Sequence, residues 1–458
     1  MSEGAEHVVE LQAGPAAGRL RDDGLLVLRG VPYGAPPVGP RRLAPPQPAT
    51  WTGVLDATVP APSAPQPDRP VSHRFHGPMP PSAEDCLRVD VVAPAGGAPR
   101  PAVVWLHGGG FTVGSPGAEL FDPAALARTL DAVVVMVGHR LGSAGWLRHP
   151  ELAGPGGEEG NWGLLDQAAA LRWVHDHADV LGVDPARVVL AGESAGGGAA
   201  LLHLAAPASR GLLAGVVALS PPLGELVVDR DRAVSWAQDL AAAHATAVAG
   251  LRDVSAADLV TAHEALLADP RWAGTRGGAL PSLDLATAPS GPLDDPAAAA
   301  GVDALVTTNR DEGTFFFRQP GREARPDAEG LARIVGAMPG VDDAAAVLAH
   351  ARERLGTDDG NELLVRLATE RIFTEPLARW ERARTAAGGH VERREITHRS
   401  RQPGLGATHS IGVPLLFGTW ATTATGAWIA GAPGAEQAAA ELQAAVRAFV
   451  HAAGRRMP

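Results

Sequence analysis

Short apolar runs alternate with alanine-rich amphipathic stretches through much of the chain. Apolar runs occur at 86–94, 101–108, 132–142, 187–194 and 212–222, and helix-like stretches separate several of them. Runs of this kind, bounded by Gly and Pro, are typical of strands that are buried on both faces. Helices between such strands imply right-handed crossover connections. The pattern therefore predicts an α/β fold with a mostly parallel central sheet and helices on both faces.

Residues 59–83 and 224–300 depart from this alternation. The first region is rich in proline, which excludes regular helix and central strand and predicts a long surface loop at the mouth of a pocket. The second region is alanine-rich and predicts mainly helix, with Ser255 and Asp258 as a capping signature. We expect a single domain over 1–458, in which 59–83 is a pocket-rim loop and 224–300 a helical insertion that forms part of the pocket.

Further elements are predicted before and after these regions. Residues 1–50 carry short apolar runs broken by Pro and Gly, which predict small strands and turns. Two more strands are predicted at 304–309 and 391–399. A last helix is predicted at 434–454, where apolar residues recur at helical spacing.

Composition and charge narrow the possible functions. The chain has 51 acidic and 39 basic residues and a net charge of −12, which disfavours general nucleic-acid binding. Its one cysteine permits no internal disulfide and excludes cysteine-rich zinc modules. The first residues lack the features of a signal peptide, and no apolar stretch is long enough to span a bilayer. We expect a cytoplasmic protein without membrane contact, either a monomer or a small homo-oligomer.

The strongest chemical signal is the segment Gly-Glu-Ser-Ala-Gly at 192–196. It lies directly after an apolar strand and directly before a helix of small residues. This G-x-S-x-G pattern is typical of a nucleophile elbow, in which glycines allow a tight turn that presents the serine hydroxyl outward. The position predicts Ser194 as the nucleophile of a hydrolase.

A glycine-rich segment lies upstream of this elbow. The sequence His-Gly-Gly-Gly-Phe at 107–111 follows a predicted buried strand. Glycines at such a position allow backbone N–H groups to turn toward a developing oxyanion, and the residue after the nucleophile supplies a matching donor. We therefore expect an oxyanion hole formed by the N–H groups of Gly109, Gly110 and Ala195.

The chain resembles the type-B carboxylesterases, the family that includes bacterial para-nitrobenzyl esterases and the cholinesterases. Eight blocks in family order carry the resemblance over nearly the whole length, at 29–42, 84–91, 107–111, 139–147, 160–174, 181–197, 308–316 and 406–418. The resemblance implies an α/β-hydrolase fold and hydrolysis of carboxylic esters through an acyl-enzyme, with no metal and no organic cofactor.

A serine nucleophile needs a base and an acid that orients the base. The resemblance places the base at His409, whereas the rival His398 lies in a strand-like segment and is interpreted as structural. The absence of lysine excludes a serine–lysine pair. Asp311 and Glu312 both follow a strand, and the fold alone does not choose between them. The resemblance selects Glu312, which gives the triad Ser194, Glu312 and His409.

Other polar residues receive weaker interpretations. Ser220 lies where the family has a second serine near its triad, and either a supporting hydrogen bond or a plain strand-end position is possible there. Cys86 matches a family cysteine that pairs in secreted members, and is expected here to be a buried free thiol. Two close histidine pairs, His73 with His76 and His175 with His177, lack a third metal ligand and are interpreted as solvated surface residues.

The resulting prediction is a serine carboxylesterase that hydrolyses carboxylic esters of small to medium size. The cholinesterase tryptophan that precedes the family cysteine is missing, which argues against recognition of quaternary ammonium groups. The same site could instead perform acyl transfer or cleave lactones, carbamates or amides. A non-catalytic binding module would normally lose part of the triad, and nucleotide binding would need a GxGxxG or P-loop motif that is absent here.

Overall fold

A large twisted sheet organises the protein, for which we obtained a computed structural model. The structure describes residues 4–269, 271–272, 277–319 and 323–455. The strands are β1 (Ala5–Leu11), β2 (Gly14–Leu20), β3 (Leu25–Pro32), β4 (Leu55–Asp56), β5 (Arg88–Pro94), β6 (Arg100–Leu106), β7 (Val133–Val137), β8 (Val183–Glu193), β9 (Gly215–Leu219), β10 (Asp303–Asn309) and β11 (Val391–Ile396).

The sheet order is β1-β2-β3-β5-β7-β6-β8-β9-β10-β11, and the short β4 pairs with β2. The six strands from β7 to β11 in this order are parallel to one another. The strands from β1 to β5 continue the sheet in antiparallel pairing, as far as the contact of β5 with β7. The predicted mostly parallel sheet is therefore confirmed, with an antiparallel extension built from the N-terminal strands.

The helices lie around this sheet. They are α1 (Pro70–His76), α2 (Pro123–Leu130), α3 (Gly142–Trp146), α4 (Trp162–Asp176), α5 (Ala178–Leu181), α6 (Ala195–Leu202), α7 (Arg230–Ala243), α8 (Ala256–Ala268), α9 (Thr314–Phe317), α10 (Ala328–Gly336), α11 (Ala344–Leu355), α12 (Gly360–Ala368), α13 (Glu375–Ala386), α14 (Gly412–Phe417), α15 (Ala424–Ala430) and α16 (Ala435–Ala452). A π-helical segment, Thr369–Thr374, joins α12 to α13. None of the helices in the described part of the chain has the length and apolar character that a bilayer crossing requires.

Alternate residues of the central strand β6 point to opposite faces of the sheet. Val104 and Leu106 pack into one buried cluster together with residues of α4 and α6. Val103 and Trp105 pack into a second cluster together with residues of α2, α14 and α16. Each face therefore has its own apolar core, which confirms the prediction of helices on both faces.

The structure corrects the interpretation of the proline-rich region. Residues 59–83 contain the helix α1, so the expectation that this region excludes regular helix was wrong. Pro70 stands in the first turn, where a helix does not need the missing N–H group. Gly77, with a φ of 69°, ends the helix after two turns. Phe75 is buried, so this stretch is partly anchored in the interior and is not only a surface loop.

In the described part of the alanine-rich region, the α-helices lie before residue 269. The helices α7 and α8 lie there, and the Ser255 side chain accepts a hydrogen bond from the Asp258 N–H (3.1 Å), as the capping signature predicted. Residues 277–300 form turns and isolated bridges. The sequence analysis did not identify α10 to α12, which pack on one another around a third apolar cluster.

His263 of α8 gives the fold a defined pH dependence. Its side chain is buried with Nδ1 3.0 Å from the Ser143 hydroxyl oxygen, and burial lowers its pKa to about 4. An unfolded histidine titrates near 6.5, so between about pH 6.5 and 4 the unfolded chain binds a proton that the folded chain does not. The free energy of unfolding should therefore fall as the pH drops through this window, with His263 contributing about 2 kcal/mol by pH 4.5.

Urea unfolding at pH 7 and pH 4.5 measures this effect. His263→Gln should lose less stability than the wild type on acidification, by about 2 kcal/mol. His350→Gln, which changes an exposed histidine, serves as the control and should follow the wild type. Equal losses in all three proteins would contradict the assignment to His263.

Candidate active site

Ser194 stands at the tight turn between β8 and α6. It adopts a φ of 53° and a ψ of −122°, a conformation that is strained for a residue with a side chain. A Cβ on Gly192 would lie 2.5 Å from the Gly196 backbone, and one on Gly196 would lie 2.2 Å from the Leu106 carbonyl oxygen. Both glycines are therefore required by close backbone approach, which is the geometry that the elbow motif predicted.

The acid and the histidine come from the ends of neighbouring strands. Glu312 follows β10 by three residues, and His409 lies in the loop between β11 and α14. The Nδ1 atom of His409 lies 2.6 Å from Glu312 Oε2, and both side chains are buried. The Asp311 carboxylate makes a different contact, in which its Oδ2 accepts the Ala407 N–H at 2.9 Å. Of the two adjacent carboxylates, Glu312 is the one in contact with the histidine.

Asn309, which the sequence analysis did not identify, holds Glu312 in place. Its backbone N–H donates to Glu312 Oε1 (2.6 Å), and its side-chain Nδ2 lies 3.3 Å from Oε2. The same amide donates to the Ser220 hydroxyl oxygen at 3.1 Å. Ser220 is buried with a φ of 47°, and its hydrogen bond reaches the acid through Asn309.

A second carboxylate lies on the other side of the histidine. Glu193 Oε1 is 3.4 Å from His409 Nε2 and accepts a hydrogen bond from the Ser410 hydroxyl at 2.7 Å. Burial raises the pKa of Glu193, and the nearby His409 and the Ser410 hydrogen bond partly offset this rise. The sequence analysis treated Glu193 only as part of the elbow motif. As an anion it would favour a positive charge on the imidazole ring.

The glycine-rich loop lies directly against the nucleophile. A Cβ on Gly108 would lie 3.3 Å from the Ser194 Cβ. Gly109 and Gly110 have φ angles of 116° and 64°, and a Cβ on Gly109 would lie 2.0 Å from the Val113 carbonyl oxygen. Ala195 is the first residue of α6, where helix N–H groups lack intrahelical partners. Gly109 and Gly110 thus line the same cavity as Ser194, and Ala195 follows Ser194 directly at the start of α6.

Ser194, His409 and the glycines at 108–110 line a cavity of about 580 Å³. Three phenylalanine rings, those of Phe315, Phe316 and Phe373, lie with their centroids 5.0 to 5.5 Å from that of His409. The region 59–83 contributes Arg69, Phe75 and His76 to the wall, and the region 224–300 contributes Glu225 and Leu267. Further wall residues that the sequence analysis missed come from α10, its following turn and the π-helical segment, namely Ile334, Ala337, Met338, Ile372 and Phe373.

The π-helical segment also contacts the loop that carries the acid. The Thr369 hydroxyl oxygen accepts the Gly313 N–H at 2.9 Å and donates to the Val365 carbonyl at 2.8 Å. A Cβ on Gly313 would lie 2.2 Å from the Val365 carbonyl oxygen, so the two segments are in close contact. One short segment therefore supplies pocket wall and supports the residue that follows Glu312.

The other candidate residues lie apart from this centre. His398 lies beyond β11 and its Nε2 donates to the Ala430 carbonyl at 2.8 Å. Cys86 is a buried free thiol as predicted, and burial raises its pKa. Among the residues that the structure describes, no group of His, Cys, Asp and Glu could hold a metal ion.

The interpretation of the paired histidines as solvated was wrong in three positions. His175 is half-buried, and its Nε2 donates to the Leu212 carbonyl at 2.9 Å. His177 is buried. Its Nε2 accepts the Gln12 N–H, and its Nδ1 donates to the Trp173 carbonyl. His76 is half-buried and lines the cavity.

Comparison with known proteins gives consistent matches over most of the chain. The sequence model of the carboxylesterase family matches residues 5–419. The para-nitrobenzyl esterase of Bacillus subtilis (strain 168) is 35% identical over 315 residues, which are 68% of this chain and 64% of that protein. The phenmedipham hydrolase of Pseudarthrobacter oxydans is 32% identical over 430 residues, 90% of this chain and 82% of that protein. A solved thermophilic PNB esterase superimposes with a TM-score of 0.86 at 30% identity, covering 97% of this chain and 91% of the other.

Proposed function

The chain belongs to the carboxylesterase family, and on that premise we propose that it is a serine ester hydrolase with the triad Ser194, His409 and Glu312. One observation carries the proposal: the serine on its strained elbow shares a cavity with a histidine whose far nitrogen is held by a buried carboxylate. This order of contacts fits a nucleophile, a general base and an orienting acid. The α/β-hydrolase fold that the resemblance implied agrees with that of the solved PNB esterase.

The first half of the reaction forms an acyl-enzyme. His409 takes the proton of the Ser194 hydroxyl as the oxygen attacks the ester carbonyl. Glu312 fixes the ring through Nδ1 and stabilises the imidazolium that forms. His409 then gives the proton to the departing alkoxide, which leaves as the alcohol. Glu193, 3.4 Å from Nε2, would add a second negative charge beside the imidazolium when it is ionised.

The second half releases the acid and restores the enzyme. A water molecule takes the place of the alcohol and loses its proton to His409 as it attacks the acyl-enzyme. The bond between the acyl carbon and the Ser194 oxygen then breaks, and His409 returns the proton to that oxygen as the acid leaves. In both halves the carbonyl oxygen becomes an oxyanion, which the N–H groups of Gly109, Gly110 and Ala195 stabilise. Removal of one such donor typically costs about 10²–10³ in rate. Each step uses only groups of this chain together with the ester and water.

The cavity suits neutral esters of small to medium size. Its wall is largely apolar, with phenylalanine rings close to His409. The cation at its edge, Arg69, forms an ion pair with Glu264 and so offers little attraction to an anionic substrate. We propose the cytoplasm as the location, since the sequence offers no pair of cysteines for the disulfides that are common in secreted proteins.

A series of p-nitrophenyl esters tests this function. The acetate and butyrate esters should be hydrolysed with kcat/KM at least about 10²-fold above the palmitate ester, within the usual range of esterases. Release of the free acid in equal amount to p-nitrophenol, unchanged by added alcohol, distinguishes hydrolysis from acyl transfer. Activity restricted to the palmitate ester, or an acid yield that falls as alcohol is added, would contradict the proposal.

A further inference from the structure

A second cavity lies behind the loops that carry Glu312 and His409. It has a volume of about 250 Å³ and is lined by three arginines, Arg318, Arg366 and Arg399, and by two carboxylates, Asp311 and Glu362. Its lining shares no residue with that of the large cavity at Ser194. The ester-hydrolase mechanism uses none of these side chains.

The arginines of this cavity retain unused hydrogen-bonding capacity. Glu362 is shared between two of them, because Oε2 bonds to Arg318 and Oε1 accepts from Arg366 Nε at 3.0 Å. The terminal nitrogens of Arg366 donate to no acceptor among the described residues. Arg399 is exposed, and within the described part of the chain its guanidinium has no hydrogen bond or ion pair.

The two carboxylates do not cancel the positive charge of the three arginines. Asp311 turns its Oδ2 to the Ala407 N–H, and Glu362 is engaged with two guanidinium groups at once. Among the described residues that line the cavity, three cations and two anions leave an excess of one positive charge. This excess stands out in a chain whose net charge is −12. Guanidinium groups with free N–H donors bind carboxylates and phosphates through paired hydrogen bonds.

We propose that this cavity is a binding site for a small oxyanion, a carboxylate or a phosphate, held between Arg399 and Arg366. The ligand completes the hydrogen bonds of the two guanidinium groups and balances the excess charge. Such an ion is compact enough for a cavity of about 250 Å³.

The position of the cavity links ligand binding to the two loops of the triad. Asp311 and Thr314 come from the loop of Glu312, and Gly404 and Gly406 come from the loop of His409. The loops are already joined, since the Asp311 N–H donates to the Ala407 carbonyl at 3.0 Å. The Thr314 hydroxyl lies 2.7 Å from the Leu405 carbonyl oxygen and 3.0 Å from the Thr408 hydroxyl. A bound oxyanion adds a tie between the loop of His409, which carries Arg399, and α12, which carries Arg366, and should therefore stabilise the folded protein.

Thermal unfolding in the presence of inorganic phosphate or acetate tests the site. At constant ionic strength, set with sodium chloride, phosphate or acetate should raise the Tm of the wild type along a saturable curve, by about 1–2 °C at tenfold excess over Kd. Arg399→Gln should fold normally and lose most of this shift. Arg401→Gln removes an equally exposed arginine two residues away and should keep it.

Each outcome decides the question. A larger shift with phosphate than with acetate identifies phosphate chemistry, and the reverse identifies carboxylate chemistry. A shift of equal size in wild type and Arg399→Gln, or no shift with either anion, would overturn the proposal. The same measurement on Ser194→Ala should give the wild-type shift, so a failure of this inference is distinguishable from a failure of the proposed esterase function.

Discussion

Replacement of Ser194 by alanine is expected to lower kcat for p-nitrophenyl acetate by about 10⁵- to 10⁶-fold. The substitution removes the only atom that forms the bond to the acyl group, while the oxyanion donors and the cavity remain. The residual rate should therefore still exceed that of water, as in other serine hydrolases without their nucleophile. The substitution should relieve little of the backbone strain at a φ of 53°, because alanine, like serine, has a Cβ atom.

The matched control for this experiment is Ser82→Ala, which changes an exposed serine outside the cavity. Its kcat should lie within twofold of the wild type. A fluorophosphonate should label the wild type and Ser82→Ala but not Ser194→Ala, and all three should show the same circular dichroism spectrum. Retention of more than a tenth of the wild-type rate by a folded Ser194→Ala would rule out Ser194 as the nucleophile.

Glu312→Gln is expected to lower kcat by about 10⁴-fold with little change in KM. The glutamine can keep a hydrogen bond to His409 Nδ1, but it removes the negative charge that stabilises the imidazolium and can favour the wrong tautomer. The effect appears in kcat because the charge on the ring develops only as the reaction proceeds.

Asp311→Asn separates the two adjacent carboxylates that the fold alone left open. Asparagine retains an acceptor oxygen for the Ala407 N–H, so kcat should fall less than tenfold. Comparison of kcat between the two variants therefore shows which carboxylate orients His409. A loss in Asp311→Asn equal to or greater than that in Glu312→Gln would mean that the acid was assigned to the wrong residue.

The sequence was most informative where a function depends on local backbone geometry. The elbow at Ser194 could be predicted because Gly192 and Gly196 are required within one turn, where any side chain meets backbone atoms. The buried strands were equally clear, since apolar runs bounded by turn residues have few other interpretations. The sheet and the predicted positions of the triad followed from such local patterns together with the family resemblance.

Residues whose roles depend on distant partners could not be found in this way. Glu193 reaches His409 and Ser410, which lie more than 200 residues away in sequence. Asn309 looks like an ordinary strand-end residue until its amide is seen between Glu312 and Ser220. The helices α10 to α12 have short apolar stripes that pack on one another and not on the sheet, so the place of α10 at the cavity was not evident from periodicity.

The π-helical segment Thr369–Thr374 has a consequence for the evolution of substrate range. Phe373 and Ile372 line the cavity at Ser194, while the Thr369 hydroxyl accepts the N–H of Gly313, the residue that follows Glu312. A mutation in this segment that reshapes the pocket can therefore also shift the loop that carries Glu312, and selection then acts on both at once. Ile334 of α10 borders the same cavity without this bond to the acid's loop. New specificities should accordingly accumulate in α10, where the pocket can change without a shift of the loop that carries Glu312.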